Sequence, residues 1–277
     1  MQDAFAHCAE LVRVAERERY LATLFAPAES RGALFALYAF NSEVGRVREA
    51  AREALPGEIR LQWWSEVLGG ERGEEAGANP VAAALLRTVE KHRLAAGKLV
   101  DLIEAHRFDL YDEPMAGIAD LEAYLKRTSS TVIGLAARIL GIDAQPAADP
   151  AGIAYGIAGL LRAFPIHAAR QQLYLPTDLL ERHNVDPRRI LAGQSSPGLT
   201  AAMAELRTLA RHDLAAAHER IMALPRAAQP AFLPIALVRP WLDRLDRSDA
   251  FAPGDISPWR RQWLIWRAAR NPARIAG

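Results

Sequence analysis

Helical periodicity runs through almost every segment of this 277-residue chain, and alternating β-branched runs are nearly absent. Apolar residues recur at three- and four-residue intervals, which puts them on one face of a helix rather than on one side of a strand. Ala, Leu, Arg and Glu fill most segments, and all four are strong helix formers. Prolines and glycines fall between the periodic stretches. Pro27 reads as a first-turn proline opening a helix through about residue 53, which Pro56-Gly57 would break. Residues 58–68 read as a short helix carrying Trp63 and Trp64, and 69–79 as a Gly- and Glu-rich loop. Residues 80–91 and 95–108 read as an antiparallel helix pair, and 120–140 as a further helix stopped by Gly141. Asp149-Pro150 reads as the N-cap and first residue of a helix through 164. Residues 199–223, 230–245 and 257–270 complete the series. No internal repeat or linker interrupts it, so the expected architecture is an all-α, single-domain helical bundle over residues 1–277.

Composition narrows the function. Hydrophobic residues make up 51% of the chain, enough for a large core, while charged residues nearly cancel to a net +1. That balance argues against a nucleic-acid partner, which usually needs a basic surplus. A single cysteine, Cys8, excludes an internal disulfide framework and a cysteine zinc site. The seven histidines include no HExxH spacing. Residues 1–16 show no basic segment followed by an apolar run, and Asp3, Glu10 and Glu16 do not suit a mitochondrial presequence. No apolar stretch reaches the roughly 18–20 residues a membrane span needs. The expected location is cytoplasmic, with peripheral contact at the cytoplasmic face of a membrane.

Two stretches carry the functional signal. The first is YLATLFAPAESRGALFALYAFNSEVGRVRE at 20–49; the second is GLLRAFPIHAARQQLYLP at 159–176. With HRFDL around Asp109 and the small segment Ser129-Ser130-Thr131, they resemble the squalene/phytoene synthase family in order and spacing. The resemblance implies an isoprenoid-synthase-like bundle with a central cavity. It also implies two facing helices whose acid-rich motifs hold Mg²⁺ on a departing diphosphate, since Mg²⁺ takes hard oxygen ligands.

The departures are concentrated at those acids. The resemblance places them at Gly45 and Glu49, with Arg46 between, and at Ala163 and His167, with Ile166 at a third. Only Glu49 keeps a carboxylate. Arg162 matches the family. Pro165 does not: it removes a backbone bond to Leu161 and is expected to kink the helix. Glu49 and Asp109 stand against Arg46, Arg48, Arg162 and Arg170, a balance that suits an anion better than a Mg²⁺ cluster. The second stretch is similar to a divergent branch of the family that serves in assembling respiratory complex I.

The expected protein is therefore a family member without catalytic residues, metal or cofactor, acting as a binding or complex I assembly factor. Its expected partners are complex I subunits or a prenyl or lipid diphosphate, with contact at the inner membrane. The alternative is a prenyltransferase with a rearranged site, and it alone would need Mg²⁺. The remnant cavity is assigned to Asn41, Gly45, Glu49, Asp109, Ser129, Ser130, Arg162, His167, Arg170 and Tyr174. Asn41, Gly45 and Glu49 share one helix face at i, i+4, i+8. Gly45 would otherwise serve close helix packing, Arg162 would pair with Asp109 or Glu49, and His167 would be a hydrogen-bonded structural histidine. Trp63 and Trp64 are expected to pack.

The last segment, SPWRRQWLIWRAAR, carries Trp259, Trp263 and Trp266 three or four apart, with Arg260, Arg261, Arg267 and Arg270 and no acid. Trp259, Arg260, Trp263, Trp266 and Arg267 are candidates for membrane contact. The alternative is a final helix docked by its tryptophans, with its arginines in water.

Overall fold

The computed structural model describes residues 2–50, 53–111 and 113–277 and contains no β-strand among them; an isolated bridge joins Asp249 and Ala252. In chain order α1 spans Gln2–Ala15, α2 Arg17–Thr23, α3 Ala28–Gly45, α4 Val47–Ala50, α5 Ala54–Gly69 and α6 Gly73–Ala78. Then come α7 Pro80–His92, α8 Ala96–His106, α9 Ile118–Leu125, α10 Thr131–Ile139 and α11 Gln145–Ala169. The chain ends through α12 Thr177–Arg182, α13 Pro187–Leu191, α14 Pro197–Met222, α15 Gln229–Phe232, α16 Val238–Leu245 and α17 Pro258–Arg270. The all-α expectation holds.

Several boundaries differ from the sequence reading. The helix opened by Pro27 ends at Gly45, where Arg46 leaves helical geometry at φ −107°, ψ 15°. Pro56 does not break a helix; it lies in the first turn of α5, where a missing N–H costs no helical bond. The 69–79 segment contains α6. The expected helix over 120–140 is α9, a π-helical turn at Lys126–Ser130, and α10. Helix α11 starts at Gln145, and Pro150 lies inside it rather than at its first position. It also runs through Pro165 for another turn, because the proline costs one bond in a helix of 25 residues. Helices α7 and α8 pack chiefly on α1 and α3, and on α5, rather than on each other.

The chain divides into two compact units, each drawn from three stretches. The first comprises Met1–Tyr111, Thr131–Gln145 and Leu224–Pro234; the second comprises Asp112–Ser130, Pro146–Ala223 and Ile235–Gly277. In the first, Leu34, Leu37 and Phe40 of α3, Leu61 and Trp64 of α5, Leu85 of α7 and Leu99 of α8 are all at most 1% exposed. Trp64 meets Phe40 edge-on at 4.9 Å, so it packs as expected, and Trp63 lies on Trp64 while donating its indole N–H to Glu75. Every residue of ALYAF, 36–40, is buried. The most recognisable motif in the sequence is therefore core. Burial of Tyr38 pushes its phenol up to about 12, so it stays protonated.

In the second unit α11 packs closely on the π-helical turn. Ser130, fully buried, donates its hydroxyl to the Asp149 carbonyl at 2.9 Å, and Gly152 lies against the Ser130 backbone. Gly156 gives the same close approach to Leu125 and Ser129. The π turn and these glycines thus set how the second motif helix is seated.

Candidate functional site

The first unit supplies Asn41, Gly45, Glu49 and Asp109. Because α3 ends at Gly45, Glu49 lies on the separate short helix α4 and does not continue the face of Asn41 and Gly45. Its carboxylate accepts from the Arg46 guanidinium at 2.8 Å in a largely exposed pair. Arg48 turns the other way and donates to the Leu110 carbonyl at 2.6 Å. A Cβ built on Gly45 would meet the His106 ring at 3.6 Å, an ordinary contact, so close packing does not require glycine there.

His106 is a residue the sequence reading passed over. It lies in the same HRFDL stretch, three before Asp109, where α8 gives way to a 3₁₀ turn. The two side chains, 8% and 5% exposed, hydrogen-bond at 2.6 Å between Nδ1 and Oδ2. Asp109 is thus committed to a histidine within its own unit.

The second unit supplies the rest. Arg162 is engaged within its own unit. Its guanidinium stacks on the Trp241 ring at 4.0 Å and donates to Asp255 at 3.3 Å. His167 turns to the ring of Tyr174 at 4.8 Å, and Tyr174 meets Tyr124 at 6.0 Å. Both line a small apolar cavity with Leu121, Ile157, Leu161, Phe164, Leu175 and Leu206. The cavity is about 10 Å³, on the order of one water molecule. Ser129 and Ser130 are not part of that lining; they serve the seat of α11. Arg170 is exposed just beyond the end of α11, where Gln171 takes a left-handed φ of 61° and the Gln172 N–H returns to the His167 carbonyl at 2.9 Å.

These residues do not fit a Mg²⁺–diphosphate cluster. Gly45, Ala163 and His167 offer no carboxylate, and Glu49 and Asp109 are each engaged by a basic neighbour. Among the described residues no group of three or more His, Cys, Asp or Glu is placed to hold a metal ion. Within each unit these positions offer hydrogen-bonding and stacking groups, with no cluster of hard oxygen donors among the described residues.

An all-α chain built this way is of the isoprenoid-synthase-like class. It belongs to the squalene/phytoene synthase family, whose profile matches residues 12–267. The complex I assembly factor 6 of Homo sapiens is 32% identical over 246 residues, 88% of this chain and 74% of that protein. A 15-cis-phytoene synthase of Synechocystis is 24% identical over 265 residues, 90% of this chain and 78% of that one. A solved dehydrosqualene synthase superposes with a TM-score of 0.85 at 18% identity, covering 97% of this chain and 96% of that chain; at that identity the likeness speaks for the fold.

Proposed function

We propose that this chain is a non-catalytic member of the family that acts in the assembly of respiratory complex I. The observation that carries the reading is the engagement of both remaining carboxylates of the first unit's face. Glu49 is tied to Arg46 at 2.8 Å and Asp109 to His106 at 2.6 Å. Releasing either for a metal would break a hydrogen bond, and for the buried pair that is costly. The motif positions Gly45, Ala163 and His167 add no replacement. The human relative, a complex I assembly factor by name, supports the role over 88% of the chain.

Two measurements test it. Purified protein incubated with Mg²⁺ and farnesyl or geranylgeranyl diphosphate is expected to release no diphosphate; turnover of either overturns the non-catalytic reading. Deletion in the native host is expected to lower complex I activity and leave the isoprenoid profile unchanged. Loss of a particular triterpene or carotenoid with intact complex I would instead assign a prenyltransferase. Calorimetry with a prenyl thiodiphosphate, with and without Mg²⁺, reports whether an unreactive diphosphate ligand is also held.

A further inference from the structure

Helix α17 has a chemistry that the assembly reading leaves unused. It is seated in its own unit by Ile265 and Ala268, 1% and 0% exposed, and not by its tryptophans. Trp259, Trp263 and Trp266 are 81%, 49% and 46% exposed. At about 100° per residue the three fall within an arc of about 60°, in a row about 10 Å long. Of the three indoles elsewhere, Trp64 and Trp241 are 1% and 2% exposed and Trp63 is half-buried with its N–H donated to Glu75. Three adjacent indoles left in water form the kind of patch that marks a contact surface.

The same helix carries Arg260, Arg261, Arg267 and Arg270 and no acidic residue. Arg267 lies over the Trp263 ring at 4.3 Å and Arg270 over Trp266 at 4.8 Å. Arg261 turns away from the row, toward Asp255 at 3.5 Å. The outward face is therefore a line of indoles edged by guanidinium groups.

We propose that this face lays α17 flat on an anionic phospholipid surface, with the indoles at the headgroup–acyl boundary and the arginines on the lipid phosphates. Indoles prefer that boundary, where an apolar body and a polar N–H are both accommodated. Cationic groups beside them match the negative charge of the leaflet. The helix lies on the surface and does not cross it: 13 residues reach about 20 Å. No helix among the described residues is long and apolar enough to span a bilayer. Nucleic acid is the less suitable polyanion. Its bases would need the open ring faces of Trp263 and Trp266, which guanidinium groups cover, and a net charge of +1 gives little basic surface to follow a backbone. The proposal does not depend on the assembly reading, since diphosphate release and vesicle binding are measured separately.

The test is cosedimentation of the purified full chain with vesicles of phosphatidylcholine alone or with about a third phosphatidylglycerol, read alongside tryptophan emission. Binding at least about tenfold tighter to the anionic vesicles is expected, with a blue shift of emission and release at high salt. Arg260→Glu and Arg267→Glu should each weaken binding about fivefold or more. The triple change Trp259→Ala, Trp263→Ala, Trp266→Ala should weaken it at least about tenfold, with circular dichroism and melting unchanged. Trp259→Ala alone, at the most exposed position, gives a partial loss that no folding defect explains. The proposal is overturned if the wild-type chain ignores anionic vesicles, or if the folded triple variant binds as well as wild type. It is equally overturned if polyuridylate binds where vesicles do not, or if the tryptophan row is consumed in a dimer that the triple change dissociates.

Discussion

Gly152 on α11 offers a quantitative test of how the second motif helix is seated. A methyl group at this position would lie under 3.0 Å from the Ser130 backbone, where ordinary Cβ atoms do not go. Backbone held in a π-helical turn cannot rotate away as a side-chain tip could, so α11 must shift outward. Such overpacking costs about 1–3 kcal/mol, and the rigid neighbour places Gly152→Ala at the upper end. The gain in helix propensity returns about 1 kcal/mol, leaving a net loss of about 2 kcal/mol. In a chain of this size that is a fall of about 4–8 °C in melting temperature. Gly159 on the same helix is the internal control: a Cβ there meets nothing within 4 Å. Gly159→Ala should therefore gain about 1 kcal/mol from propensity alone. Thermal melts of the two variants followed by circular dichroism should move in opposite directions. Equal or parallel shifts would refute the claim that α11 sits on the Ser130 backbone.

Other consequences follow from single groups. Asp213 on α14 has a buried Oδ2 with no hydrogen-bond partner, and burial raises its carboxyl, with Glu122 adding to the shift. Its folded pKa is above the unfolded value near 3.9, so the folded chain binds the proton more tightly and stability falls as pH rises through that interval. Asp213→Asn should raise the melting temperature at pH 7 and by less at pH 4; a loss at pH 7 would contradict this. Cys8 is fully buried and its thiol is pushed up to about 12, by burial first and Glu43 second. Alkylation at pH 8 should therefore wait for denaturant, whereas rapid labelling of the native chain would place the thiol in contact with solvent. Arg162→Ala should cost about 1 kcal/mol through the Trp241 stack and the Asp255 pair, and Arg162→Lys should restore less than half, because an ammonium lacks the planar stacking surface. Asn79 caps α7 by accepting from the Val81 and Ala82 N–H groups, so Asn79→Ala should cost about 1 kcal/mol in a denaturant titration.

Local chemistry explains why so much of the fold was readable. The α7 cap at Asn79 and the start of α17 at Ser257-Pro258 each depend on neighbours a few residues away. The boundary differences in α11 have one source. Pro150 and Pro165 look like punctuation in sequence, but α11 tolerates both because its other backbone bonds and its packing carry it. The site was less legible. Asp109 stood out as an acid in a familiar setting, while His106 was missed because a histidine on an apolar helix face carries no pattern of its own. Only their shared stretch, HRFDL, could have pointed to the pair. The partner of Arg162 lies 93 residues on, at Asp255, beyond the reach of any spacing argument.

The sequence by itself determined that this chain is helical and that it resembles the squalene/phytoene synthases. These follow from periodicity and residue identity, which need no coordinates. Tertiary structure decided where the remaining charges went and which side of α17 faces out. In sequence that helix offers two apolar rows, Trp259/Trp263/Trp266 and Ile265/Ala268, and either could have been the buried one. Packing chose the smaller pair, because a seat in the fold is set by shape and not by total hydrophobicity. The tryptophans, which carry the larger apolar surface, were left on the outside.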